Sequence, residues 1–122
     1  MALKVAVNKK EEGSFTVTLL GSLDTATYTI LENAVEEILK TSPKVLIFDM
    51  SGVSYISSMG VSAILKTKKA VEEGNGKFFI TNLQPQVKKV FDVLKALPSG
   101  IIFKNVEELD AYLWQIQKKE LD

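Results

Sequence analysis

The chain has 122 residues, which fits one domain with its own hydrophobic core and leaves no room for a second. It carries 15 basic and 15 acidic side chains, and a net charge of zero argues against general nucleic-acid binding, which needs a basic surface. Cys and His are both absent, which excludes disulfides, Ser–His and Cys–His nucleophile pairs and most transition-metal sites.

The first part of the chain predicts an antiparallel hairpin followed by a helix. Apolar and polar residues alternate over residues 3–7 and 15–19, and a Glu-Gly pair between them suits a hairpin turn. Apolar residues then recur at helical spacing over residues 30–39, with Asp24 or Thr25 as the expected cap and Pro43 as the stop.

The rest of the chain alternates between strands and helices. The continuously apolar runs 45–48 and 78–80 predict buried strands, the first of them covered on both faces, and residues 101–103 predict a last strand. Helical stripes follow each of them, with Ser57 or Ser58, Pro85 and Asn105 at their starts. The order ββαβαβαβα predicts a single α/β domain with a mixed, mostly parallel sheet of about five strands and about four helices.

The segment from Asp49 to Leu65 carries the strongest functional signal in the sequence. It leaves a predicted buried strand and enters an amphipathic helix. In open α/β sheets, ligands and partners commonly bind beyond the carboxyl ends of the strands. The alternative interpretation is that Ser57 and Ser58 are only helix caps, since serine is among the most common residues at the N-cap position of helices.

Motifs in this segment and in one before it resemble those of the STAS family, named for sulphate transporters and anti-sigma factor antagonists. In that family a strand ends in Asp-x-Ser, Asp-Ser-Ser-Gly or a close variant opens the next helix, and Gly-x-Leu-Asp follows an earlier strand. The matching residues here are Asp49-Met50-Ser51, Ser57-Ser58-Met59-Gly60 and Gly21-Ser22-Leu23-Asp24. The element order matches as well, so the resemblance covers essentially the whole chain.

The resemblance implies a regulatory protein switch. In the bacterial members the first Ser of Asp-Ser-Ser-Gly is phosphorylated by a partner that is both an anti-sigma factor and a serine kinase, and a serine phosphatase resets the switch. The unmodified protein binds this partner and frees the sigma factor. The phosphorylated position falls on Ser58, with Ser57 as the alternative. We expect Ser58 to be exposed beside unpaired helix N–H groups, where a phosphate is tolerated.

The expected partner-binding surface surrounds these serines and comprises Asp24, Tyr55, Ser57, Ser58, Met59 and Gly60. Asp49 is expected either to cap a turn or to lie close to the serines. Ser57 departs from the family, which commonly has Asp before the phosphorylated Ser. A second hypothesis is therefore a non-switching STAS subunit of a transporter-associated or stress-signalling complex.

A third hypothesis treats Asp24, Asp49 and the two serines as the catalytic cluster of a small enzyme or nucleotide binder. The sequence offers no evident general base for it, so we expect no catalytic residue, metal or cofactor. Weak nucleotide binding is associated with the family, so a bound nucleotide would not by itself indicate catalysis. Without an apolar run of ~18 residues or a signal-peptide core, we expect a cytoplasmic protein with no membrane span. The zero net charge predicts no direct contact with nucleic acid, and the size of the domain suits a monomer.

Overall fold

A computed structural model describes residues 2–96 and 106–121. Its described part contains four strands, β1 (Leu3–Glu11), β2 (Ser14–Leu23), β3 (Val45–Ile56) and β4 (Lys77–Thr81), and four helices, α1 (Tyr28–Leu39), α2 (Ser58–Glu73), α3 (Pro85–Ala96) and α4 (Val106–Leu121). The strands lie side by side in the order β1-β2-β3-β4. The predicted strand at residues 101–103 and the Asn105 cap lie outside the described residues.

The sheet is mixed and mostly parallel, as predicted. β1 and β2 form the antiparallel hairpin, and Gly13 in its turn has a φ of +82°, a left-handed value that glycine adopts without strain. β2 with β3 and β3 with β4 are parallel pairs. Parallel neighbours need a crossover, and the intervening helices α1 and α2 supply it. The predicted α/β class is confirmed.

The hydrophobic core lies on one face of the sheet, beneath the helices. Phe48 and Leu19 are completely buried there, together with Leu31 of α1 and Ile64 of α2. The predicted burial of the third strand on both faces is wrong, because alternate side chains of β3, such as Ile47, lie on the opposite face and are only partly covered.

That opposite face also carries two well-exposed apolar side chains. The register pairs Ile47 with Phe79, and Phe79 is 48% exposed, so the expectation of a buried strand at 78–80 is also wrong. Leu20 of β2 is 56% exposed. A continuously apolar strand therefore does not identify two covered faces here, since only alternate residues point into the core.

Strand β3 is longer than the sequence predicts. The residues expected to leave the sheet, 49–52, remain in it, because Thr18 pairs with Asp49 while Leu20 pairs with Gly52. Two steps along β2 are thus matched by three steps along β3, so β3 contains one extra residue, which is a bulge. A Cβ on Gly52 would lie 2.8 Å from the carbonyl oxygen of Leu19, so a glycine permits this close approach. As a result, only Ser57 separates β3 from α2.

Candidate functional site

Ser57 joins the carboxyl end of β3 to the start of α2. Its backbone is extended, with φ −100° and ψ 177°, and its hydroxyl accepts a hydrogen bond from the Gly60 N–H at 3.4 Å. Its own N–H donates to the carbonyl of Leu23 at 3.0 Å. The sequence did not distinguish Ser57 from Ser58 as the cap of α2, and in the structure Ser57 is the cap. Its side chain is only 3% exposed.

Ser58 is the first residue of α2, and its surroundings differ from the expectation. Its N–H donates to a carboxylate oxygen of Asp110 in α4 at 2.8 Å. Its Oγ is buried and has no hydrogen-bond partner among the described residues. The prediction of an exposed hydroxyl beside unpaired N–H groups is therefore wrong for Ser58: its oxygen is buried, and its N–H is paired because α4 supplies a carboxylate to the end of the helix.

Gly60 allows the first turn of α2 to pack closely on the sheet. It is buried, and a Cβ at this position would lie 2.5 Å from the carbonyl oxygen of Leu23 and 2.8 Å from Cγ1 of Ile56. Met59 beside it is half-buried. Gly60 would therefore influence a partner surface through the position of α2, whereas Met59 keeps some accessible surface of its own.

Asp24 lies in the turn between β2 and α1. Its carboxylate accepts hydrogen bonds from the N–H groups of Ala26 at 2.9 Å and of Thr27 at 3.1 Å. The expectation that Asp24 or Thr25 caps α1 is wrong, since Thr27 holds the cap position and makes no side-chain cap bond. The carboxylate of Asp24 instead stabilises the preceding turn.

Tyr55 interacts with residues of α4 and of the turn between β2 and α1. Its ring packs edge-on against that of Trp114 in α4, with the centroids 5.6 Å apart. Burial raises the pKa of the Tyr55 hydroxyl above its ordinary value, and the carboxylates of Asp110 and Asp24 raise it further. Three of the predicted site residues, Asp24, Tyr55 and Ser58, thus share one electrostatic environment with Asp110.

Asp49 does not join this group, because its contacts are further back along β3. Its carboxylate accepts hydrogen bonds from the Ser51 N–H at 3.0 Å and from the Asn82 side chain at 3.3 Å. The same hydrogen bonds lower the pKa of Asp49, that from the Ser51 backbone most. Neither role expected for Asp49 is met, because it lies within β3 away from the serines, and its carboxylate bonds the Ser51 N–H inside the strand rather than in a turn.

Two polar residues of α4 at the site were missed at the level of sequence. Asp110 contacts Ser58, and Gln117 is completely buried while its amide bonds both the N–H and the carbonyl of Ile56, at 2.9 and 2.8 Å. One sequence signal was available: Gln117 lies four residues after Leu113 on the apolar stripe of the last helix. A polar residue in such a stripe needs a buried partner.

A cavity of about 390 Å³ between α2 and α3 is lined in part by Ser58. Its lining is mainly apolar, from Val61, Leu65 and Leu94, and two lysines, Lys66 and Lys69, lie along it. In residues 2–96 and 106–121 no cluster of three potential metal ligands occurs. Within the same ranges no helix is both long and apolar enough to span a membrane.

Comparison with known proteins identifies the family. The model of the STAS domain matches residues 6–109. The chain belongs to the STAS domain family. Of the motifs that resemble the family, the one at residues 57–60 lies at the junction of β3 and α2, the one at 49–51 lies within β3, and the one at 21–24 lies at the end of β2.

Three solved structures share the STAS fold with this chain. An anti-sigma factor antagonist from Mycobacterium paratuberculosis is 20% identical, with a TM-score of 0.65 over 92% of this chain and 94% of its own. The Bacillus cell fate determinant SpoIIAA, in its phosphorylated form, is 19% identical, with a TM-score of 0.64 over 86% and 95%. A sulfate transporter family protein from Wolinella succinogenes is 18% identical, with a TM-score of 0.59 over 91% and 93%.

Proposed function

We propose that this STAS domain is an anti-sigma factor antagonist that is switched off by phosphorylation of Ser58. In this proposal the unmodified domain binds an anti-sigma factor that is also a serine kinase, and a serine phosphatase reverses the modification. The observation that carries the proposal is the position of Ser58, at the first residue of α2 and directly beyond the carboxyl end of a parallel strand. The similar fold of phosphorylated SpoIIAA supports it.

The physical effect of a phosphate at this position is large. It adds about −1.5 to −2 charges, and the positive end of the α2 dipole tolerates them within the fold. The partner would meet an unpaired charge where the unmodified protein has a buried, neutral hydroxyl. A loss of ~3 kcal/mol of binding free energy corresponds to more than a hundredfold in Kd. Asp24, Tyr55 and Met59 are the accessible members of the proposed partner surface, whereas Ser57 and Gly60 are buried and would act through the position of α2.

A second candidate function is a STAS subunit that binds its partner without switching. It is favoured by the buried hydroxyl of Ser58, which a kinase cannot reach in this conformation, and by Ser57 in place of the family Asp. The similar fold of a sulfate transporter family protein agrees with this alternative. The two candidates differ in one measurable property, which is the effect of charge at position 58 on binding.

The experiment compares partner capture by wild type, Ser58→Ala and Ser58→Asp. Each immobilised protein is incubated with native cytoplasm, retained proteins and phosphosites are identified by mass spectrometry, and the retained kinase is purified and titrated. Ser42→Asp is the matched control, because Ser42 is exposed, precedes the other end of β3 and has a φ of 50°, which Asp tolerates well.

The switch predicts that wild type, Ser58→Ala and Ser42→Asp bind the kinase alike, that Ser58→Asp binds at least 100-fold more weakly, and that phosphate maps to Ser58. Phosphate on Ser57 alone would mean that Ser57, and not Ser58, is the regulatory phosphorylation site. Equal binding by all four proteins, with neither serine phosphorylated, would favour the non-switching subunit.

The proposal also treats the domain as a binding protein without catalytic activity, acting as a monomer in the cytoplasm where transcription takes place. The absence of His and Cys from the whole chain supports this, because the usual general bases and thiol nucleophiles are missing. Turnover of a nucleotide by the purified domain, abolished by Asp24→Asn, would contradict it. Nucleotide binding without turnover would not.

A further inference from the structure

Asp110 of α4 occupies the N-terminal end of α2. Its carboxylate accepts the N–H of Ser58 at 2.8 Å, across a sequence separation of 52 residues. The first N–H groups of a helix have no partner within the helix, and they carry the positive end of its dipole. A carboxylate at this position therefore stabilises the helix start. Ser57 replaces the Asp of the family motif, so the negative charge missing from the motif comes from a different helix.

Two further contacts hold α4 against the same segment. The Gln117 amide pairs with both backbone groups of Ile56, and Trp114 packs on the ring of Tyr55. The contacting side chains of α4 at 110, 114 and 117 follow the spacing i, i+4, i+7, which places them on one helix face. This face of α4 thus lies along the end of β3 and the start of α2.

The Ser58 hydroxyl is closed to another protein in this arrangement. Its oxygen is buried and has no hydrogen-bond partner in the described structure. Phosphoryl transfer needs this oxygen in line with the leaving group of a nucleotide, in contact with the active site of a kinase. The hydroxyl therefore becomes available only after the surrounding side chains have moved.

A phosphate on Ser58 would conflict with the docked position of Asp110. The carboxylate already bonds the N–H of that residue, and the phosphate oxygens would compete for the same end of α2. Two anions within a few ångströms of each other repel, and water screens the repulsion only in part at this part-buried contact. A neutral Ser58 thus favours the docked arrangement, and a phosphorylated one disfavours it.

We propose that α4 is a latch on the serine switch, closed by the Asp110–Ser58 contact and opened when Ser58 is phosphorylated. Closed, it places a carboxylate at the N–H of Ser58. Open, it separates Trp114, which is 48% exposed in the docked state, from Tyr55 and uncovers the backbone of Ile56, so that phosphorylation changes the shape of the partner surface as well as its charge. The biological role of the latch rests on the proposed phosphorylation, whereas its docking is measurable without any kinase.

The latch is tested by hydrogen–deuterium exchange of residues 106–121 in the intact protein, with Trp114, which is the sole tryptophan, as a fluorescence probe of the Tyr55 contact. Phosphoserine is installed at position 58 during synthesis, so no kinase is needed. Asp110→Ala removes the carboxylate that accepts the Ser58 N–H, so it breaks the same contact from the α4 side. Glu107→Ala is the matched control, because it removes an exposed carboxylate from the first turn of the same helix.

Phosphoserine at position 58 and Asp110→Ala are each expected to raise exchange in α4 about tenfold and to increase acrylamide quenching of Trp114, whereas Glu107→Ala leaves both unchanged. Asp110→Asn in the phosphoserine protein should restore part of the protection, because the repulsion is removed. Exchange in α4 that stays at the wild-type rate with phosphoserine would overturn the latch. So would an equal rise in β2 and β3, which would mean general unfolding. Neither result depends on whether a kinase is found.

Discussion

The buried amide of Gln117 gives the sharpest test of how α4 is held. Gln117→Leu keeps a side chain of similar size but leaves the N–H and the carbonyl of Ile56 without their partner. Each of the two unpaired backbone groups costs about 1–3 kcal/mol, and the added apolar burial of Leu offsets about 1 kcal/mol, so the free energy of unfolding should fall by about 1–5 kcal/mol.

The assay is urea unfolding, followed by circular dichroism for the whole domain and by Trp114 fluorescence for α4. With a slope of about 1.5 kcal/mol per molar urea, a loss of 3 kcal/mol lowers the midpoint by ~2 M. Gln115→Leu is the matched control, since Gln115 is exposed on the same helix and its replacement should change stability by less than ~0.5 kcal/mol. A Gln117→Leu midpoint equal to that of the control would refute the reasoning. A shift seen by fluorescence alone would mean that α4 detaches before the domain unfolds.

Three further predictions concern the packing and ionisation of the site and the sheet. Gly60→Ala places its Cβ 2.5 Å from a backbone oxygen of β2 and should cost about 1–3 kcal/mol in thermal unfolding, whereas Gly74→Ala, whose nearest contact would be 3.6 Å, should be tolerated; equal effects would contradict the close packing. The pKa of Tyr55 is raised in the folded state, so the stability it contributes is complete below pH ~10 and declines as the pH rises further; Tyr55→Phe should flatten that alkaline decline, and an unchanged profile would count against the shift. Phe48→Ala should cost about 3–5 kcal/mol in urea unfolding and Phe79→Thr less than ~1 kcal/mol, whereas similar losses would mean that both faces of the sheet are covered.

Much of the fold could be predicted because its signals are local. Alternation over residues 3–7 and 15–19 indicated the hairpin, and Gly13 provides the left-handed turn between its strands. Pro85 begins α3 because its fixed φ suits the first turn of a helix. Ser57 caps α2 for an equally local reason, since its hydroxyl needs to reach only three residues ahead.

The extent of β3 was not predictable in the same way. Asp, Ser and Gly are disfavoured in strands, so residues 49–52 indicated a loop. The pairing with β2 overrides that preference by means of a bulge, and Met50 and Val53 are completely buried on either side of it. Local propensity is weaker than the burial of two such side chains.

The sequence by itself determined the order of strands and helices, the serine at the start of α2 and the membership of the STAS family, because each depends on periodicity, capping chemistry or a short motif within one segment. Only the tertiary structure decided that the Ser58 hydroxyl is buried and that its N–H bonds a carboxylate. The partners involved, Asp110 and Gln117, lie 52 and 61 residues from the groups they bind. Contacts over such separations depend on how α4 packs against the sheet, and the local pattern, which marks Gln117 as a polar residue on an apolar stripe, does not say which groups it meets.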